Sequence, residues 1–371
     1  MGRPRITQEI THDVKVVNIE VPVRVFKGDE FVDDLTLEDF EIYEDGVLQK
    51  ASAVYLIKKK SVERKEEKRK FTPETSRSFV LLFNITNYLP KVGEAIDFFF
   101  ENVILPGDSL TVMTPMKAYD LNSQALQLLT KEKVCEELKE KLRKDTVMGN
   151  SEYLSVLEEI RKTSVEHYGY YRLLLQRLEE LRYLDEGKLL DFANDLKKRQ
   201  GQKLVFLFYQ KEVLPRMDPS MYHMLMSIRQ NDINFLMNLQ DIFDFYHRDL
   251  PFDIDNVKQI FSDSSISIHF LFITKTPNLR YSQQTFSRGW REASGDVFSA
   301  FREMARATGG TTDSSANPDY LFKKAVETSE NYYLVYYSPR KYTSDGEFKE
   351  IKVKIKGKNY RVTHRAGYFS N

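Results

Sequence analysis

A short apolar run, Ser78-Phe79-Val80-Leu81-Leu82-Phe83, leads into Asn84-Ile85-Thr86-Asn87-Tyr88 and limits what this chain can fold into. A strand without a polar face must be covered on both sides, as parallel strands are when crossover helices pack over them. The residues after Phe83 then form the loop at the strand's carboxyl end, the edge where open α/β sheets place their ligand sites. The chain beyond repeats the pattern. Val92, Ala95, Ile96, Phe99 and Val103 recur at helical spacing after Pro90, Pro106-Gly107-Asp108 stops that helix, and Ser109 to Met113 is a second strand. Lys203 to Tyr209 and Ile266 to Phe272 read as further buried strands, while Phe298 to Ala307 and Pro318 to Thr328 read as helices, the first ended by Gly309-Gly310 before a short strand at Thr311-Thr312. Between the second and third strands, residues 131 to 200 hold apolar positions for at least three helices, and Met221 to Tyr246 is helical and rich in Met and Phe.

Both ends of the chain follow a different period. Val17, Ile19, Val21, Val23 and Val25 alternate with Asn18, Glu20, Pro22 and Arg24, the pattern of a half-buried strand, with Pro22 expected at an edge or bulge. Asp45-Gly46 between Phe40-Glu41-Ile42-Tyr43 and Val47-Leu48-Gln49 is a hairpin signature, and Val54 to Ile57 is another strand. At the far end Tyr332 to Tyr337 is a strand, and Ile351, Val353 and Ile355 alternate with lysines, so one face is wet. Neither β piece has enough strands to enclose a core alone, so the two are expected to join. The fold class that follows is α/β: a doubly wound, mostly parallel sheet inserted into a small β-sandwich built from the N- and C-terminal strands. The expected domains are residues 10–58 and 330–371 as the two parts of the sandwich, 59–76 as a charged linker, and 77–329 as the α/β domain with helical insertions over about 120–200 and 215–250.

Composition removes several classes. Lys plus Arg and Asp plus Glu both number 55, so no net field draws the chain to nucleic acid. The single cysteine, Cys135, cannot make an intramolecular disulfide, and it reads as a small buried hydrophobe on an amphipathic helix. No apolar run approaches the ~20 residues of a membrane-spanning helix. No Walker loop, Gly-x-Gly-x-x-Gly, nucleophile elbow or zinc spacing is present, and His269, inside a strand, reads as a satisfied buried histidine.

Leu35-Thr36-Leu37-Glu38-Asp39-Phe40-Glu41-Ile42-Tyr43-Glu44-Asp45-Gly46 resembles the opening signature of the bacterial von Willebrand factor A-related proteins first grouped in the acidobacteria. Tyr332 to Pro339 and Gly367-Tyr368-Phe369 resemble the closing one. The resemblance implies a doubly wound sheet, a secreted or periplasmic location whose leader is expected to lie outside this sequence, and a role in binding other macromolecules. In that family a metal-ion-dependent adhesion site, where present, begins with Asp-x-Ser-x-Ser after the first strand, and the matching positions here are Asn84, Thr86 and Tyr88. A second carboxylate, from Asp-Gly after a later strand, is matched by Tyr209-Gln210. Mg²⁺ needs hard and preferably anionic oxygens to offset its dehydration, so the expectation is a degenerate site with no metal, or weak Mg²⁺ at most.

The resulting expectation is a non-enzymatic, extracytoplasmic protein-binding module of adhesion or scaffold type with an unidentified protein partner, no nucleic acid and no integral membrane segment. Its contact candidates are Asn87 and Gln210 at the loop and Met221, Met224 and Tyr246 on the Met-rich helices. Two other readings stay open: an enzyme or enzyme component with its site in the insertion between residues 120 and 250, and a metal-dependent adhesin that uses other ligands such as Asp108, Asp120 or Asp218.

Overall fold

In the computed structural model the described residues are 17–121, 130–164, 166–182, 186–210, 213–216, 219–247, 254–263, 266–274, 289–292 and 295–370. The chain begins with β1 (Ile19–Lys27) and β2 (Glu30–Phe31), then β3 (Phe40–Glu44), β4 (Val47–Gln49), β5 (Ala51–Lys58) and β6 (Ser61–Glu67). The β3–β4 turn has Asp45 and Gly46 both at positive φ, 48° and 78°, as the tight hairpin turn requires. The charged stretch expected as a linker is in part a strand, because β6 pairs antiparallel with β5 along its length. Backbone pairing needs no apolar side chains, and a charged outer strand resists edge-to-edge association.

The α/β unit follows as β7 (Arg77–Asn84), α1 (Pro90–Phe98, continued by a wider turn to Val103), β8 (Ser109–Met113) and β9 (Ala118–Leu121). Four helices come next, α2 (Lys131–Gly149), α3 (Ser151–Lys162), α4 (Tyr168–Arg182) and α5 (Glu186–Lys197). Then come β10 (Gln202–Gln210), β11 (Val213–Arg216), α6 (Pro219–Ile228), α7 (Ile233–His247), α8 (Ile254–Ser262), β12 (Ile266–Ile273) and β13 (Gly289–Glu292). The unit ends with α9 (Gly295–Ala307), β14 (Thr312–Ser315) and α10 (Pro318–Ser329). Its mixed sheet has the order β9-β8-β7-β10-β12-β14, parallel except for β9, which runs antiparallel to β8. From β7 the chain builds outward in one direction to β9, and from β10 in the other to β14, so the order reverses between β7 and β10.

Side-chain alternation along these strands feeds two cores. Phe79, Leu81, Phe83, Phe206 and Phe208 face Val92 and Ile96 of α1, Leu138 and Leu142 of α2 and Phe322 of α10. Val80, Val205, Leu207 and Tyr209 face Leu196 of α5, Phe261 of α8 and Met304 of α9. Helices therefore cover both faces of the sheet. Helices α3, α4, α6 and α7 form a separate cluster around Ile160, Leu174, Leu178, Leu239 and Ile242.

The chain closes with β15 (Asn331–Tyr337), β16 (Phe348–Ile355), β17 (Arg361–His364) and β18 (Gly367–Phe369). One sheet has the order β17-β1-β15-β5-β6, with β2 on β1, and a second has the order β18-β16-β3-β4. Val21, Val23, Val25, Tyr333 and Val335 of the first pack with Ile42, Ile351, Val353 and Ile355 of the second, which is the sandwich of both termini. Pro22 lies where β1 pairs only with β15, just before β17 joins at Val23, so its missing N–H breaks no ladder there. The expected wet face of β1 is not wet: Arg24 is only 3% exposed and donates to the carbonyls of Gly309 and Ser329, so the α/β unit covers it.

Candidate functional site

The reversal between β7 and β10 places two chain segments side by side at the carboxyl edge of the sheet. One is the loop from Asn84 to Leu89 and the other is Gln210, the last residue of β10. Adjacent residues of a strand point to opposite faces. Tyr209, in register with Asn84, therefore sends its ring into the core, where it stacks on Phe272 with centroids 5.8 Å apart. Tyr209 is thus not a member of the loop site, although its position matches a family ligand. Gln210 turns the other way and reaches the loop.

There the Gln210 Oε1 accepts three hydrogen bonds, from the Thr86 N–H at 3.0 Å, the Thr86 hydroxyl at 3.0 Å and the Asn87 N–H at 2.8 Å. Gln210 is 1% exposed, so its expected role as a surface contact residue does not match its burial, whereas the Asn84 and Asn87 side chains are exposed. Asn150, at the end of α2, supports the loop from beneath by donating to the carbonyls of Ile85 at 2.9 Å and Thr146 at 2.7 Å.

Tyr88 lies against α1 at Gly93. A Cβ added to Gly93 would stand 2.8 Å from the Tyr88 hydroxyl, so the glycine leaves room for the phenol. The Arg143 guanidinium sits over the Tyr88 ring at 5.1 Å. These residues line one end of an open groove of about 720 Å³ between α1 and α2, which also holds Asp97 and Lys139, paired at 2.8 Å. Cys135 is buried nearby and donates to Asp97. Burial, and then that hydrogen bond, push its thiol up to about 12, so it is held protonated and is a poor nucleophile.

Asp108 and Asp120, the other ligand candidates, lie elsewhere. Asp108 is buried at the amino end of β8 and pairs with Arg77 at 2.6 Å and Lys60 at 3.1 Å. Asp120 accepts from Thr111 in the middle of β8. Asp218 lies outside the described residues, as do the side chains of Met221 and Tyr246. Met224 is 43% exposed. Among the described residues, no three His, Cys, Asp or Glu side chains gather into a metal-binding group, and no helix is long and apolar enough to cross a membrane. His269 is satisfied, with Nδ1 at 2.9 Å from the Thr311 hydroxyl and Nε2 at 3.2 Å from that of Ser267, and burial first, then Arg24, hold its pKa well below the usual imidazole range.

Comparison of the chain with protein-family models, curated proteins and solved structures finds no match.

The site's own chemistry therefore has to speak for it. Mg²⁺ needs an octahedral set rich in anionic oxygen. The loop instead presents the neutral amides of Asn84 and Gln210, a Thr86 hydroxyl already donated, and a phenol turned onto α1. This donor set does not fit the metal. Sequence reasoning missed Asn150, Arg143 and Gly93. Only Gly93 left a signal, as an uncapped glycine within a helical pattern.

Proposed function

We propose that this chain is a non-enzymatic protein-interaction module of von Willebrand factor A type, acting outside the cytoplasm, whose loop from Asn84 to Tyr88 engages a protein partner without a metal. The observation that carries the reading is the convergence of Thr86 and Asn87 donors on Gln210 at the point where the strand order reverses. On this reading the edge binds the partner around an oxygen that is a neutral amide. The strand order, 3-2-1-4-5-6 when only the strands of this sheet are numbered, with helices on both faces, supports a doubly wound sheet. The secreted or periplasmic setting rests on the sequence resemblance.

A photo-crosslinking residue placed at Asn87 tests the partner. The expected result, in cells that make the protein, is one discrete protein adduct that survives a chelator and is competed away by excess unlabelled chain. An adduct lost on chelation would overturn the metal-free reading. So would tight calorimetric binding of Mg²⁺, Mn²⁺ or Ca²⁺. The absence of any adduct at Asn84 and Asn87, alongside one at Met224, would move the interface to the helices.

A further inference from the structure

The loop carries more donors than its present acceptor suits. A neutral amide oxygen offers two lone pairs, yet Gln210 Oε1 takes two consecutive backbone N–H groups and a hydroxyl. Successive N–H groups aimed at one point make a concavity that favours an anion, and bonds to a carboxylate oxygen are roughly twice as strong as bonds to a neutral one.

A second observation concerns the nitrogen of that amide. The other end of the same amide, Gln210 Nε2, is buried and has no hydrogen-bond partner among the described residues. A buried donor left without an acceptor is destabilising. The side chain is thus held in place by its oxygen at the expense of its nitrogen, and it closes the nest without satisfying itself. Asn87, immediately beside it, is exposed, so the loop faces solvent on its outer side. Arg143 over Tyr88 adds a cation near the same loop.

We infer that the Thr86–Asn87 nest is a metal-free binding site for a carboxylate of the partner, and that the Gln210 amide is its built-in competitor. The inference rests on the reading of this edge as the partner-binding one. An incoming carboxylate places one oxygen on the three donors and displaces the Gln210 oxygen. The freed amide turns outward, where Nε2 gains water or the ligand's second oxygen as its acceptor. No bond is made or broken other than hydrogen bonds.

The test follows the backbone amide resonances of Thr86 and Asn87 in the full chain during titration with sodium acetate, against sodium chloride at equal ionic strength. Wild type is expected to show saturable shifts at these two amides. Gln210→Ala is expected to bind acetate ~10-fold more tightly, because the closed state no longer withholds the site. Gln210→Met serves the same purpose with the side-chain volume kept, should the alanine variant fail to fold. Gln210→Glu is expected to give no response, its own carboxylate already occupying the nest. Two peptides separate the sources of the carboxylate: one with an internal Glu and an amidated end, the other of alanines with a free C-terminus. Amides of Thr86 and Asn87 that move no more with acetate than with chloride, in both the alanine and the methionine variants, would overturn the inference. That failure leaves an Asn87 crosslink untouched, whereas acetate binding without any crosslink would spare the nest and remove the partner-binding reading.

Discussion

The two ends of the central sheet use polar residues in opposite ways. At the amino end, Arg77 and Asp108 form a buried ion pair at 2.6 Å, Lys60 and Glu330 add charge around it, and the Arg77 guanidinium lies over the Phe79 ring at 4.9 Å. Arg24 and Arg365 reach across from the sandwich, Arg24 to Gly309 and Ser329 and Arg365 to the carbonyl of Asp263. At the carboxyl end, Asn84, Thr86, Asn87 and Gln210 meet with no carboxylate among them. Buried charge is concentrated where the α/β unit joins the sandwich, and neutral donors are concentrated where a ligand is expected. Buried ion pairs add little net stability over apolar replacements, but they penalise misaligned states. At the amino end the Arg77–Asp108 pair lies within the α/β unit and Lys60 ties it to the sandwich, whereas the carboxyl end is left to make and break hydrogen bonds at low cost.

The sharpest way to break this contrast is at the amino end. Arg77→Met leaves Asp108 in the interior with Lys60 and the Leu105 N–H opposite it, and the expected loss is about 3–5 kcal/mol of unfolding free energy in urea. A loss below ~1 kcal/mol would mean that the pair does not hold the junction.

Gly310→Ala probes the same end by packing instead of charge. Its Cβ would fall 1.8 Å from the Ile268 carbonyl oxygen, so the backbone of β12 has to shift, at a cost of ~1–3 kcal/mol. Thermal unfolding should report it, and a neutral result would show that the close approach at Gly310 relaxes freely.

Acid distinguishes the two ends next. His269 and His364 are both held below the usual imidazole value, chiefly by burial. For His364 the bonding fixes the tautomer, since Nε2 accepts from the Val353 N–H and Nδ1 donates to the Arg365 carbonyl. A depressed folded pKa means that the unfolded chain takes up the proton first. The stability that comes from keeping these rings neutral is therefore full above about pH 6.5 and is lost as pH falls toward the folded values, by roughly 1.4 kcal/mol per unit and per ring. Urea midpoints at pH 7 and 5.5 should differ, and His269→Gln should reduce the difference.

The smallest effect belongs to the carboxyl end. Thr86→Val removes one of three donors to Gln210 and should lower stability by only about 1 kcal/mol, since Asn87 and the Thr86 N–H remain. Its thermal unfolding should barely move, whereas a loss comparable to that of Arg77→Met would erase the contrast.

The alternation of strands and helices could be read in the sequence because both periods are strong: Val80 and Phe79 are sent to opposite cores, and Val92, Ala95 and Ile96 to one. Three features escaped. The strand β6 is stabilised by backbone pairing with β5, which leaves no mark in a run of Lys, Arg and Glu. The polar side of β1 looked solvated because what covers it, around Gly309 and Ser329, lies about 285 to 305 residues away. At the site, the position of the loop was legible and its membership was not. Matching the strand end to the family's Asp-Gly pointed to Tyr209, but the two-residue period of a strand turns that ring into the core and gives the loop to Gln210 instead.

Glu44, the last residue of β3, is buried at 8% exposure and accepts hydrogen bonds from Tyr337 at 2.6 Å and Tyr368 at 2.9 Å. Those partners lie 293 and 324 residues further along the chain. A ribosome adds roughly 5–20 residues per second, so the N-terminal strands wait tens of seconds with a carboxylate and an apolar face that nothing can complete. The α/β unit, whose contacts are nearer in sequence, has time to fold first and bring the ends together. The sandwich is then the last part to close, which makes a chain cut short before Tyr368 recognisable to quality control by its open N-terminal sheet.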